Sequence, residues 1–317
     1  MMDRRQWIGM ALGAGAALGL GALPTSAGSR GPLLARPVPS SGEKIPVIGL
    51  GSSATFRSAA ESEDVRGLAD VLSAMVEHGA RVFDTAPSYG ASEEVAGRLA
   101  RERGLTSKLF WATKVNVARG GGGSADPAAA RAQVEQSFRR FGVTTMDLIQ
   151  VHNLGDVPVQ LGVLKELKAA KRLRYIGVTS TSKAQYGELA RVMRAEPLDF
   201  IGVDYAVDNR SAEDEILPLA AERGIAVMVY LPFGRTRLFQ RAGNAPVPAW
   251  ASEFDAASWA QFFLKYVLGH PAVTVVTPAT SKVGHMVDNL GGGSGRLPDE
   301  AARKRMAALV DALPGGG

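Results

Sequence analysis

From Ile45 onward, short and nearly continuous apolar runs alternate with longer segments whose apolar residues recur every three or four positions. The short runs cover residues 47–51, 82–84, 110–114, 148–152, 175–179, 200–205, 227–230 and 273–277. Apolar side chains on successive residues suit strands buried on both faces of a parallel sheet. Between them, residues 64–78, 92–103, 129–141 and 211–223 carry the helical period, and Gly79, Gly104, Gly142 and Gly224 follow as helix stops. Eight strands alternating with eight helices over about 270 residues predict an α/β fold of the (β/α)₈ TIM-barrel type. A doubly wound sheet is the alternative, but it calls for a G-x-G-x-x-G turn after an early strand. The glycine runs at 120–123 and 291–293 do not have that spacing.

Composition narrows the chemistry. The chain has 317 residues, 46% of them hydrophobic, enough to bury a large core. Its net charge of +5 is spread thinly, with no dense basic run, so no nucleic-acid partner is expected. With no cysteine, thiol nucleophiles, thiolate metal sites and disulfides are excluded, and an oxidising compartment is tolerated. The four histidines, His78, His152, His270 and His285, lack the short helical spacing of a zinc motif, so no metal is expected.

The N-terminus reads as a targeting segment. Arg4 and Arg5 open the run D-R-R-Q-W-I-G, a small-residue apolar stretch covers 10–23, and Pro24-Thr25-Ser26-Ala27 offers a cleavage site. The stretch is too short and too rich in Gly and Ala for a membrane helix, so no stable span is expected in the mature form. It resembles a twin-arginine signal, although Asp3 stands where Ser or Thr is usual. That resemblance implies the twin-arginine export machinery as partner and a periplasmic or extracytoplasmic location. The expected organisation is a signal peptide at 1–27, a flexible Pro/Gly/Ser leader at 28–44, and a barrel at 45–317.

Catalytic groups of such barrels sit at the carboxyl ends of strands. Those ends carry Asp84, Lys114, His152, Thr179-Ser180 and Tyr230, and Tyr89 follows Asp84 closely enough for a tight loop to fold its ring over the mouth. A free tyrosine titrates near 10. A neighbouring Lys114 ammonium, held by Asp84, is expected to lower that value, and His152 to hydrogen-bond the same carbonyl oxygen. No side chain delivers hydride, so a nicotinamide cofactor is implied.

The segments G-A-R-V-F-D-T-A-P-S-Y-G-x-S-E, F-W-A-T-K, M-D-L-I-Q-V-H-N, R-L-R-Y-I-G-V-T and V-T-P-A-T-S-K-x-x-H-M-x-D-N resemble those of the aldo-keto reductases. The resemblance implies Asp84, Tyr89, Lys114 and His152 as a catalytic tetrad with Tyr89 the general acid, and Tyr230 stacked on the nicotinamide. It implies Lys282 at the adenosine 2′-phosphate, hence NADPH (NADP), with Thr280, Ser281 and Asn289 around the adenosine. Arg235 and Arg237 are expected over the pyrophosphate. The family's Ser-Asn carboxamide pair is here Thr179-Ser180, and its strand glutamine is Gly202, which is expected to loosen the nicotinamide end; a glutamine at 202 is expected to tighten it only if the barrel has room. Trp111, Phe56, Phe233 and Trp250 suggest an apolar substrate pocket, with core packing an equal alternative for each.

The reading is an NADP(H)-dependent reductase of an aldehyde, ketone or sugar carbonyl. Two alternatives stand beside it: a Schiff-base lyase using a neutral Lys114, and a nucleotide-holding regulatory barrel without turnover.

Overall fold

The computed structural model describes residues 31–62, 64–118 and 123–315. The expected signal peptide at 1–27 lies outside the described residues. Residues from Gly31 form one compact unit.

An antiparallel hairpin, β1 (Ala35–Pro37) and β2 (Lys44–Pro46), precedes eight strands: β3 (Leu50–Gly51), β4 (Val82–Asp84), β5 (Phe110–Val115), β6 (Met146–Val151), β7 (Leu173–Ser180), β8 (Phe200–Asp204), β9 (Ala226–Tyr230) and β10 (Val273–Val276). Each of the eight pairs in parallel with its sequence neighbour. The ring closes where Gly49 N donates to Val276 O (2.9 Å), Val276 N to Val47 O (2.9 Å) and Gly51 N to Pro278 O (3.0 Å). The expected barrel is therefore the fold found. Helices Pro127–Phe141 and Ile216–Arg223 end at Gly142 and Gly224 with φ of +71° and +64°, the left-handed turn that glycine takes without a Cβ penalty.

The two-residue period of a strand sorts side chains between lumen and helix layer. Outward residues such as Phe83 and Trp111 join the large core beneath the helices. Inward, Val82, Phe110, Leu148, Tyr175, Phe200, Met228 and Val275 fill the lower lumen. Two or four positions further along the same faces come Asp84, Lys114, Thr179 and Tyr230, so the upper lumen is polar. The apolar layer below is what gives these groups a rigid, dry floor.

The expected flexible leader at 28–44 is corrected by the hairpin. Val38 and Ile45 are fully buried and plug the lower lumen. The Arg36 guanidinium donates to the carbonyls of Leu268 (2.6 Å), His270 (3.0 Å) and Val273. The Pro, Ser and Gly residues of 39–42 make its turn, where Gly42 has φ +75°. Two boundaries also shift. His152 leaves the strand for a 3₁₀ turn, and the predicted helix at 211–223 divides into a turn (Ser211–Glu213) and a helix (Ile216–Arg223). Among the described residues, no helix is long and apolar enough to cross a membrane.

Candidate active site

Asp84 ends β4 and Lys114 lies one residue before the end of β5, both on lumen-facing positions and both almost fully buried. Lys114 Nζ donates to Asp84 Oδ1 and Oδ2, each at 2.9 Å, and to Thr85 O at 2.7 Å. Three ammonium hydrogens meet three acceptors, so the charge is fully satisfied. Burial alone would lower the lysine's pKa. The Asp84 carboxylate overcomes it and holds the ammonium above its ordinary value. A Schiff-base role would need Lys114 neutral, and the Asp84 pair favours its charged form.

Tyr89 reaches the mouth as expected. The loop after β4 folds back through Tyr89 N→Ala86 O (2.9 Å) and Ser92 N→Tyr89 O (3.1 Å), into helix Ser92–Glu102. Its ring meets His152 edge-on, centroids 5.8 Å apart, and Lys114 Nζ lies 5.3 Å from the ring centroid. The expected lowering of its pKa is corrected. Burial raises the Tyr89 phenol and Asp84 adds to the rise, which outweighs the opposing charges of Lys114 and Arg235. Burial, then the charge of Lys114, lowers His152 to about 3, so its imidazole is neutral at physiological pH.

These four residues line one cavity of about 310 Å³, together with Ser52, Thr179, Tyr230 and Arg235. Ser52 is buried and its hydroxyl has no partner among the described residues. Ser180 does not reach this cavity, correcting its assignment there. It faces away from the lumen, and its hydroxyl donates to Gln185 Oε1 at 2.9 Å. Thr179 faces inward and accepts from Asn153 N at 3.0 Å.

Gly202 is not an open space. A Cβ built on it would lie 2.4 Å from Tyr230 Cε2 and 2.7 Å from Tyr230 Oη. The Tyr230 ring fills the space a side chain would take. Its hydroxyl accepts from Gln150 Nε2 (2.8 Å) and donates to Asp84 Oδ1 (3.3 Å), while Lys114 Nζ sits 4.9 Å from the ring centroid. The barrel therefore has no room for a longer residue at 202. Gln150, which the sequence reading passed over, was signalled by its place two residues before His152 on the same inward face.

A second cavity of about 500 Å³ follows the loop after β9 and the loop after β10. Thr280, Ser281, Lys282 and Asn289 line it, opposite in character to the aromatic residues Phe233, Phe239 and Trp259 on the same wall set. A small cavity lined by Leu231, Pro232 and Thr277 adjoins both, and Arg235 lines all three. Leu231, Gly234 and Arg235 have φ of +52°, +54° and +62°, a strained loop that sets Arg235 on this path. The Arg235 guanidinium makes no ion pair among the described residues, whereas Arg237 binds Asp208 at 2.7 Å and does not line the first cavity. Only Arg235 of the expected pair is placed for a ligand. Asp288 is engaged by Ser258 (2.8 Å) and Gln261 (2.7 Å). The row of cavities from Tyr89 to Lys282 fits an extended, phosphate-bearing dinucleotide: an orphaned buried hydroxyl at one end, an unpaired guanidinium midway, and hydroxyls with an ammonium beside aromatic rings at the other.

Of the four aromatics, Trp111, Phe56 and Trp250 follow the core-packing alternative. Trp111 is buried against Phe83 and Phe141, Phe56 is buried against Phe83, and Trp250 packs on Phe254 and Phe262. Phe233 belongs to the dinucleotide-sized path.

Comparison with known proteins agrees with the fold. An aldo-keto reductase of Strobilurus tenacellus is 26% identical over 294 residues, covering 82% of this chain and 86% of the relative. Among solved structures, an aldo-keto reductase of Bacillus halodurans in its holo form superposes with a TM-score of 0.70 at 20% identity, covering 90% and 99% of the two chains. The glycerol dehydrogenase of Gluconobacter oxydans gives 0.71 at 22% identity, covering 89% and 96%. An aldo-keto reductase of Klebsiella pneumoniae, solved in complex with NADPH, gives 0.68 at 23%, covering 87% and 95%. The aldo/keto reductase family model matches residues 47–309, spanning the whole barrel with Asp84, Tyr89, Lys114 and His152 inside it, and the chain belongs to that family.

Proposed function

We propose that this protein interconverts an aldehyde or ketone and its alcohol with NADP(H), Tyr89 acting as general acid. What carries the reading is the buried Lys114–Asp84 ion pair beneath Tyr89 and His152, at the head of a path that ends at Lys282. The Klebsiella relative solved with NADPH supports the cofactor.

Tyr89 gives its proton to the carbonyl oxygen. The phenol's raised resting pKa keeps the proton in place until the substrate needs it. The phenolate left behind lies beside the Lys114 ammonium and within the field of Arg235, whose charges favour the ionised form. Neutral His152 donates one ring N–H to the same oxygen and so orients the carbonyl. When bound, the nicotinamide supplies the hydride. Thr179, Tyr230 and Ser52 would hold that end, Arg235 the pyrophosphate, and Thr280, Ser281, Lys282 and Asn289 the 2′-phosphorylated adenosine.

The test is Tyr89→Phe, followed by NADPH oxidation with a carbonyl panel. We expect kcat to fall by about a hundredfold or more with cofactor affinity retained. Near-normal turnover removes Tyr89 from the reaction.

We also propose export by the twin-arginine route, resting on Arg4-Arg5 and the weakly apolar segment behind them. That route passes folded proteins, so the barrel would cross with its cofactor inside. Arg4→Lys with Arg5→Lys should strand active enzyme in the cytoplasm. Unchanged fractionation would refute the route, and exported protein that releases no nucleotide on denaturation would refute the carriage of cofactor.

A further inference from the structure

We propose that Glu93 is a positioning residue for the proton donor, tying the segment that carries Tyr89 to the strand that carries Lys114, a proposal that rests on the reductase reading above. Glu93 does not line the catalytic cavity and is fully buried. Donors from two other elements converge on its carboxylate. Oε1 accepts from Thr113 Oγ1 on β5 at 2.6 Å and from Ser137 Oγ on helix Pro127–Phe141 at 2.9 Å. Oε2 accepts from Arg140 Nη1, on that same helix, at 2.6 Å.

Each end of this tie is a short step from the chemistry. Thr113 and Lys114 are successive residues of β5, so the first faces the helix layer where the second faces the lumen. On the other side, only Gly90, Ala91 and Ser92 stand between Tyr89 and Glu93, and Ser92 N donates to Tyr89 O at 3.1 Å as helix Ser92–Glu102 begins. The Lys114–Asp84 pair fixes the start of the Tyr89 loop, and Glu93 fixes its far end. Gly97, one turn further along, lets the neighbouring helix come close: a Cβ there would lie 2.0 Å from Arg140 O. That approach puts Arg140 within reach of Glu93.

Apolar packing would hold these elements together as firmly as a buried ion pair does. It is non-directional, however, and selects no single spacing. Charge-assisted bonds of 2.6 Å set both distance and direction. Spacing is what the proton transfer needs. Lys114 Nζ sits 5.3 Å from the Tyr89 ring centroid, and its charge favours the phenolate more strongly the closer it lies. The Glu93 charge also favours the Lys114 ammonium, so one carboxylate acts on both members of the pair.

The test sets Thr113→Val, which cuts the bond to β5 and leaves the Glu93–Arg140 pair, against Ser137→Ala, which cuts the other bond to the same oxygen on the side away from Lys114. The other titratable or charged groups around the phenol, Arg57, Asp84, His152, Tyr230 and Arg235, are left unaltered in both. NADPH oxidation with 4-nitrobenzaldehyde and NADP⁺ reduction with 4-nitrobenzyl alcohol are followed across pH, with folding checked by thermal melting. We expect Thr113→Val to lower kcat by roughly tenfold or more, as for a slightly misplaced catalytic group, with KM and NADPH affinity held. Alcohol oxidation needs the Tyr89 phenolate, so its rise should move to higher pH. Thr113→Ser should restore both, and Ser137→Ala should lower the melting temperature alone. Equal kinetic changes in Thr113→Val and Ser137→Ala, or a wild-type pH profile in Thr113→Val, overturn the proposal. Should the valine not fold, Thr113→Ala cuts the same bond and is read by the same criteria. Absorbance titration of the Tyr89 phenolate, taken as the difference from the same protein carrying Tyr89→Phe, needs neither carbonyl nor hydride. A titration moved to higher pH by Thr113→Val in a protein that reduces no member of a carbonyl panel supports the tie and overturns the reductase reading. An unmoved titration overturns the tie whether or not carbonyls are reduced.

Discussion

Adding one methyl group at Gly202 should damage the active site from within the barrel. In Gly202→Ala the new Cβ would lie 2.4 Å from Tyr230 Cε2 and 2.8 Å from Tyr230 Cζ, both ring atoms with no flexible end to yield. The ring cannot settle downward, because its hydroxyl is held between Gln150 Nε2 and Asp84 Oδ1. It must tilt toward the catalytic cavity, breaking both bonds. Gln150 Oε1 is already buried without a partner, so losing the Tyr230 contact would leave the whole amide unsatisfied. Overpacking of this kind costs about 1–3 kcal/mol. For a chain of this size that is a fall in Tm of roughly 2–10 °C. The displaced ring intrudes where the nicotinamide end would bind, so NADPH affinity should fall as well. Melting curves and NADPH titration read the two effects, and Tyr230→Phe completes a double-mutant cycle. The phenylalanine ring is no longer anchored, so the alanine should cost less in that background, by about 1 kcal/mol. An alanine variant with unchanged Tm and unchanged NADPH affinity would show that Tyr230 does not occupy this space.

Two further outcomes follow from the charges. Lys282→Ala should weaken NADPH binding by about 1.5–3 kcal/mol, the scale of a charged hydrogen bond, and leave NADH binding almost unchanged, and an equal loss for both cofactors sinks the 2′-phosphate assignment. His152 is held at about 3 in the fold, whereas an unfolded histidine titrates near 6.5. Its neutral form therefore contributes stability that is present above pH 6.5 and is lost as pH falls toward 3, because only the unfolded chain takes up the proton in that window. His152→Gln should flatten the stability–pH curve there by up to about 1.4 kcal/mol per unit, measured by urea unfolding between pH 6 and 4. Parallel curves for the two proteins would contradict the buried neutral imidazole.

The barrel, and the gathering of Asp84, Lys114 and Tyr230 at its mouth, were legible in the chain because both follow from one periodicity. Runs buried on both faces identify the strands, and the strand ends point Asp84, Lys114 and Tyr230 into a shared mouth whatever the loops do. The hairpin was not legible, since Pro, Ser and Gly mark a tight turn and a loose linker alike. What distinguishes the two is the burial of Val38 and Ile45, which depends on a lumen built by strands far along the chain. Likewise Arg235 and Arg237 stand two apart in one loop, and only the fold reveals that Asp208 neutralises the second.

The departures at 180 and 202 carry the sharper lesson, because residue identity alone made both look like losses. Alternation along β7 already forbids Thr179 and Ser180 from facing the same way, so one of the pair had to point toward the helices. Ser180 does, and there it ties down Gln185. Gly202 removes a side chain, yet the volume it vacates is taken by an aromatic ring from the next strand, in register because Asp204 pairs with Tyr230. An absence on one strand and a bulky residue on its neighbour are a single packing solution, and neither has a meaning by itself. The consequence is chemical: the ring that fills the gap brings a hydroxyl to Asp84, where it favours the carboxylate that holds Lys114 beneath Tyr89. The glycine thus acts on the surroundings of Tyr89 through two neighbours, at a distance its own position would never suggest.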